Sequence, residues 1–505
     1  MNTGREEHWS RGKLVTFAVA LAFMVSAAVF VAVLAFGPTS AGASHSEYTQ
    51  PAQAVTPPAD RQVAVIVTKS DRSGRAEALV RSLGGAVTKD LSLINAFAAE
   101  IPAGVLPQLA AGPSVARVTP DGRVESSGKN LNAGVGKRVG QPQAPAPPNH
   151  YLETLGISRL SGLTGNGIGV AVIDSGITDH PDFGSLKQAS VAKSVSFNQG
   201  AANTRDPFGH GTHVAGIIAG NGSASDGLYT GVAPGVVVFN LKIADDQGLA
   251  SESDVIAALQ WVYDNKARYN IRVVNLSINS SSNQSYHQSQ LDAACEILWF
   301  NGVVVVTSAG NKGPAGGYNT VRAAPANDPF VITVGASDEK GDGLRSNDVL
   351  APFSAFGLTL EGFNKPDVLA PGTSIISTLS FNSSWADDYP DRVLINGKYF
   401  RLSGTSMSAP MVAGVVALLL EDEPNLTPDQ VKYRLLATAT PLGGDNVTRA
   451  YVDAFAAING TTTQSANTGI PVSNLLTTGD NPVNSSVMWN SVMWNSVMWN
   501  SVNWN

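Results

Sequence analysis

Residues 167–174 read GIGVAVID, an unbroken apolar run that ends on a carboxylate. A strand with one wet face alternates apolar and polar residues, whereas a run without alternation is buried on both faces. The pattern recurs in VVVFNLKI (236–243), IRVVNLSI (271–278), GVVVVTSAG (302–310) and FVITVGA (330–336). Helical stretches fall among these runs: HVAGIIAG (213–220), SDVIAALQWVYDN (253–265) and LDAACEILWF (291–300). Apolar strands separated by helices predict an α/β fold over residues 151–460, with a mostly parallel sheet and helices on both faces. A further run, MSAPMVAGVVALLL (407–420), is almost wholly apolar and small-sided and predicts a buried helix.

Upstream lies a smaller α+β pattern over residues 61–125. QVAVIVTK (62–69) reads as a strand, and GRAEALVRSLGG (74–85) as a helix closed by a glycine pair. AVTKDLSLINAFAAEIP (86–102) reads as two strands, AGVLPQLAAG (103–112) as a short helix, and VARVTPDGRVE (115–125) as one last strand. The order β-α-β-β-α-β is the ferredoxin-like unit.

The flanks read differently. Arg5, Arg11 and Lys13 precede an apolar run from Leu14 to Phe36, followed by the small residues Ala41-Gly42-Ala43. This is a secretory leader pattern over residues 1–43, and its length also fits an uncleaved membrane anchor. Residues 44–60 are a Pro- and Ala-rich linker. A second polar, Pro-rich linker covers 126–150, the kind of exposed segment that proteases nick. Residues 461–505 form a polar tail ending in repeats of VMWNS. The repeat is either low-complexity sequence or an adhesive module whose tryptophans touch a surface.

Of 505 residues, 14% are charged, 50 are glycine, and the net charge is −7. An acidic balance speaks against nucleic acid as a partner, because that needs a basic face. The single cysteine, Cys295, excludes an internal disulfide and reads as a small buried hydrophobe.

Three segments carry chemistry. Asp174 closes the strand GVAVID, His210 opens HGTHVAGIIAG, and Ser406 lies in GTSMSAPMVAG. A serine hydroxyl needs a neighbouring base, histidine titrates near working pH, and a carboxylate fixes the imidazole tautomer. The oxyanion of a tetrahedral intermediate needs donors, for which the Asn311 amide and the Ser406 backbone N–H are candidates. A lipase-type elbow, G-x-S-x-G with serine first in the chain, is not what stands here.

DSGI (174–177), HGTHVAG (210–216), SAGN (308–311) and GTSMSAP (404–410) resemble the signature segments of the subtilisin-like serine peptidases, in that family's order. GVAPG (231–235), NLSI (275–278) and KPDVLAPG (365–372) match as well. The resemblance covers roughly residues 151–460. It implies a subtilisin-like endopeptidase that acts on protein or peptide substrates as a monomer, with Asp174 as carboxylate, His210 as general base, Ser406 as nucleophile and Asn311 as oxyanion donor. It implies that Ser277, Ile278 and Asn279 pair with the substrate backbone, while Ser308, Ala309 and Gly310 line the first specificity pocket. Residues 61–125 resemble the family's inhibitor-type propeptide, which would make the chain's own propeptide a partner, with self-cleavage in about 125–150.

The resemblance also frames expectations about single residues. Family members often carry Gly where Asn279 stands, so an added side chain there should narrow an outer subsite. Lys312 at the pocket rim should disfavour Lys or Arg before the scissile bond. No cofactor is required, and a structural calcium at Asp182 and the loop 221–230 stands against a plain acidic turn. His213 reads as packing rather than a metal ligand, since HGTH lacks the zinc-protease spacing. Asp367 reads as a backbone cap.

Overall fold

A computed structural model describes residues 58–126, 147–184, 191–313, 321–442 and 450–477. The leader expected at 1–43, most of the processing linker and the VMWNS repeats lie outside these residues.

The small unit runs β1 (Gln62–Lys69), α1 (Arg75–Ser82), β2 (Ala86–Leu91), β3 (Ala96–Pro102), α2 (Leu106–Ala110) and β4 (Val115–Pro120). Its strands form an antiparallel sheet in the order β2-β3-β1-β4. Ala76 and Val80, four apart on α1, turn inward onto Val65, Val67, Phe97 and Ile101. Pro107 is accommodated because it sits in the first turn of α2. The last strand departs from expectation. The stretch 115–125 is two strands, β4 and β5 (Arg123–Ser126), broken at Asp121-Gly122, and β5 leaves the small sheet.

The large domain follows in chain order with β6 (Gly169–Asp174), β7 (Val191–Ser196), α3 (His210–Ala219), β8 (Val237–Lys242), β9 (Ala250–Ser251), α4 (Glu252–Tyr269), β10 (Ile271–Leu276), β11 (Ile278–Ser280), α5 (Gln290–Phe300), β12 (Val304–Ser308), β13 (Ile332–Asp338), β14 (Val368–Pro371), β15 (Ile375–Thr378), β16 (Tyr399–Leu402) and α6 (Thr405–Asp422). Its sheet body is parallel, in the order β14-β13-β12-β10-β6-β8-β7. Every residue of β6 is buried, as its lack of alternation required. Helices α3 and α6 pack together over one face, and α4 with α5 over the other. Among the described residues only α6 is long and apolar enough to cross a membrane, and it is a core helix buried over almost its whole length. The α/β expectation therefore holds.

Strand order reverses between β6 and β10, because successive crossovers run outward in opposite directions from there. Open α/β sheets bind ligands at such a point, beyond the strand carboxyl ends. Asp174, Ser277 and Ser308 all stand at that rim.

Candidate active site

The carboxyl end of β6 delivers Asp174, and the start of α3 delivers His210. The imidazole Nδ1 lies 2.7 Å from Asp174 Oδ1, which also accepts the Ser175 N–H at 2.7 Å. This contact fixes the tautomer with the proton on Nδ1 and leaves Nε2 as the base. His210 Nε2 is buried and carries no hydrogen bond among the described residues. The Trp385 ring stands edge-on to the imidazole, 5.7 Å between centroids, and helps seal it from solvent.

The placing of His210 depends on a residue that the motif did not reveal. Asp206, fully buried, accepts the N–H groups of Gly209 (2.7 Å) and Thr212 (2.8 Å) and the Ser175 hydroxyl (2.7 Å). It thus satisfies orphan donors at the N-terminus of α3 and ties them to the residue after Asp174. Burial pushes its carboxyl above the usual range, outweighing the hydrogen bonds that favour the anion. Gly209 precedes the helix at φ +105, a conformation costly for any other residue. A Cβ on Gly211 would sit 2.2 Å from the Gly176 carbonyl, so α3 reaches Asp174 only because glycine stands there. Lys242, wholly buried at the end of β8, donates to the Ser175 (2.8 Å) and Arg205 (2.7 Å) carbonyls and holds the same turn. A polar side chain soon before a helix was the available signal for Asp206. Nothing local distinguishes Lys242 or Trp385.

Ser406 sits in the first turn of α6, where backbone N–H groups lack intrahelical partners. Its hydroxyl donates to the Ser277 carbonyl at 3.1 Å, and the Ser277 hydroxyl donates back to the Ser406 carbonyl at 3.0 Å. Pro410 makes the second bond possible. Lacking an N–H, it cannot bond the carbonyl four residues earlier, which belongs to Ser406. The Ser406 hydroxyl is therefore engaged with Ser277 and would have to turn to meet His210 Nε2. Asn311 is oriented by Thr405, whose N–H (2.9 Å) and hydroxyl (3.0 Å) both donate to Asn311 Oδ1. The amide Nδ2 is thereby aimed the other way, a role for Thr405 that the motif containing it did not reveal.

The cleft beside these groups holds a strand. β5 pairs antiparallel with β11 on one side and β9 on the other, with Val124 opposite Ser280, Glu125 opposite Asn279 and Ser126 opposite Ile278. Val124 is buried, and only about 10 Å³ of space remains around it, among Phe208, Ile243, Ala244, Ile278 and Asp174. Asp121 accepts the Ser253 N–H (2.9 Å) and hydroxyl (2.7 Å) at the start of α4. Lys89 pairs with Asp254 at 3.2 Å, and Leu93 N–H donates to Gln260 at 2.9 Å. The small unit is seated on α4 with its last strand in the cleft.

The chain matches the model of the Subtilase family over residues 165–453. The chain belongs to the subtilase family. Serine protease AprX of Bacillus subtilis (strain 168) is 38% identical over 282 residues, covering 54% of this chain and 61% of that protein. Subtilisin E of the same organism is 33% identical over 373 residues, 74% of this chain and 82% of that one. Among solved structures, fervidolysin from Fervidobacterium pennivorans, described as a keratinolytic enzyme related to subtilisin, shares the fold with a TM-score of 0.59 and 25% identity. That match covers 79% of this chain and 61% of fervidolysin. The chain thus spans about three fifths of the length of AprX and of fervidolysin. It is a serine-type endopeptidase of the subtilase family.

Other expectations can be placed in this subtilase. Asn279 stands directly opposite Glu125 of β5. Side chains alternate along β11, so Asn279 shares a face with Ser277, and its Nδ2 donates to the Ser308 carbonyl at 3.0 Å. Lys312 is exposed. Asp182 accepts the Tyr399 hydroxyl at 2.8 Å and the Ala224 N–H at 2.9 Å. Calcium takes a shell of oxygen acceptors, and donor groups aimed at the carboxylate do not fit it there. His213 is buried, with Nε2 2.9 Å from the Phe400 carbonyl, and burial pushes its pKa down to about 3. Burial and neighbouring carboxylates push the Cys295 thiol well up, so it is no nucleophile. Asp367 does more than cap: it accepts the Thr333 N–H and pairs with Lys365 (2.7 Å) and Lys432 (2.9 Å).

Proposed function

We propose that this chain is a secreted endopeptidase that processes its own precursor and cuts peptide bonds through an acyl-enzyme on Ser406. Its substrates are proteins or peptides, bound as an added strand to Ser277, Ile278 and Asn279 with Ser308, Ala309 and Gly310 opposite. As Ser406 Oγ bonds to the scissile carbonyl carbon, its proton passes to His210 Nε2. Asp174 holds the imidazolium, and Asn311 Nδ2–H and the Ser406 N–H receive the oxyanion. His210 then returns the proton to the leaving amine, and water repeats the sequence on the ester. The leader pattern at 1–43 supports export, and no metal or organic cofactor enters a step.

The observation that carries this reading is β5. It occupies the cleft as a peptide substrate would, and its register advances toward Ser277, on whose carbonyl the nucleophile is parked. Ser127 follows Ser126 in the chain as Ser277 precedes Ile278 on the other strand. The self-processed bond is therefore Ser127–Gly128, which makes residues 61–127 the inhibitory propeptide. The test is to purify wild type and Ser406→Ala from a host without proteases and read the termini by mass spectrometry. Wild type should begin at Gly128. A Ser406→Ala chain cut at the same bond would show that another enzyme does the processing.

A further inference from the structure

Ser277 and Asn279 lie on one face of β11, the face turned toward residues 308–310, while Ile278 lies on the other and closes on Val124. Residues directly opposite in an antiparallel pair share a face. A substrate residue opposite Ser277, the one before the scissile bond, therefore sends its side chain between β11 and the segment 308–310. The Asn279 side chain already spans that gap. Its Nδ2 is 3.0 Å from the Ser308 carbonyl, and its Oδ1 comes within 3.1 Å of where a Cβ on Gly310 would lie. Ala309 on the far wall is itself buried, clustered with Val321, Ala326 and Ala355.

Resting on the peptidase reading above, we propose that Asn279 is a bar across the first specificity pocket and restricts the residue before the scissile bond to Gly, Ala or Ser. A large side chain would have to displace the Asn279 amide and strip the Ser308 carbonyl of that donor, a double cost of steric strain and a lost hydrogen bond. A small one leaves the bridge intact. The chain's own proposed cleavage residue, Ser127, is of the small class.

The test compares peptides that differ only in that residue, Ala, Ser, Leu and Phe, with enzyme concentration set by fluorophosphonate titration of Ser406. Wild type should favour Ala or Ser over Phe by at least tenfold in kcat/KM. Asn279→Gly, and Asn279→Ala as a second variant, should shift the Phe-to-Ala ratio upward by tenfold or more. A precursor carrying Ser127→Phe should process slowly in wild type and recover in the Asn279→Gly background. Labelled enzyme that cuts Phe as readily as Ala, or a ratio unmoved by both variants, overturns the bar and leaves the peptidase reading standing. A protein that neither labels nor cuts any peptide overturns the peptidase reading itself, and the bar with it.

Discussion

Asn311 has one end of its amide committed. Two donors from Thr405 fix Oδ1, so Nδ2 is pre-aimed and needs no reorganisation when charge develops on the substrate oxygen. Asn311→Ala should lower kcat by about 10²–10³, the loss known for removing such a donor in subtilisin, while KM changes little. Steady-state kinetics on one peptide checks this, and a loss confined to KM would assign Asn311 to ground-state binding. At this scale the sequence singled out Asp174, His210, Ser406 and Asn311, because each stands in a short motif of residue types that fit one chemistry. It was silent on Lys242, Thr405 and Trp385, whose roles come from contacts with residues distant in the chain, and it passed over the local helix-start signal of Asp206. For Asn279 the departure from pattern announced an added side chain but not its turn toward the Ser308 carbonyl.

Between the elements, the informative case is the division of residues 115–125. The Asp121-Gly122 pair was a legible turn signal, overridden by the apolar residues on either side. The turn lets Asp121 sit at the N-terminus of α4 and sends β5 into a different sheet, a pairing that depends on the other strands and that no local pattern encodes. Loop 221–230 teaches the converse. Its likeness to calcium-holding loops was visible, but the donors that occupy Asp182 come from β16 and from Ala224. In a Ser406→Ala background, Asp182→Asn should lower Tm by the same amount in EDTA and in excess calcium. A decrement seen in calcium alone would make Asp182 a metal ligand after all.

Over the whole molecule, stability should depend on pH through Glu339. Burial, with Asp348 and Asp338 nearby, raises its carboxyl from an ordinary 4.5 to about 8. Between those values the folded chain holds a proton that the unfolded chain has released. Its contribution is therefore complete below about pH 4.5 and is lost as pH rises through 8. Glu339→Gln in the Ser406→Ala background should flatten the decline between pH 5 and 8, by on the order of a few kcal/mol, in urea melts. An unchanged slope would mean that Glu339 titrates normally. The sheet order that sets such burial was only partly readable. Unalternating strands announced a two-sided parallel sheet, but their spatial sequence follows from how the crossovers pack.

The central position of β5 has a consequence in time. On the proposed self-processing, hydrolysis would break one covalent bond just past this strand and spare the residues that pair with β9 and β11. The newly cut molecule would then be a product complex, chemically mature and still dormant. The clock that ends dormancy would be the departure or unfolding of a small unit with its own modest core, seated by a few polar contacts on α4. Onset of proteolysis in a population would then follow a lag, shortened once the first freed molecules digest the inhibitors of their neighbours.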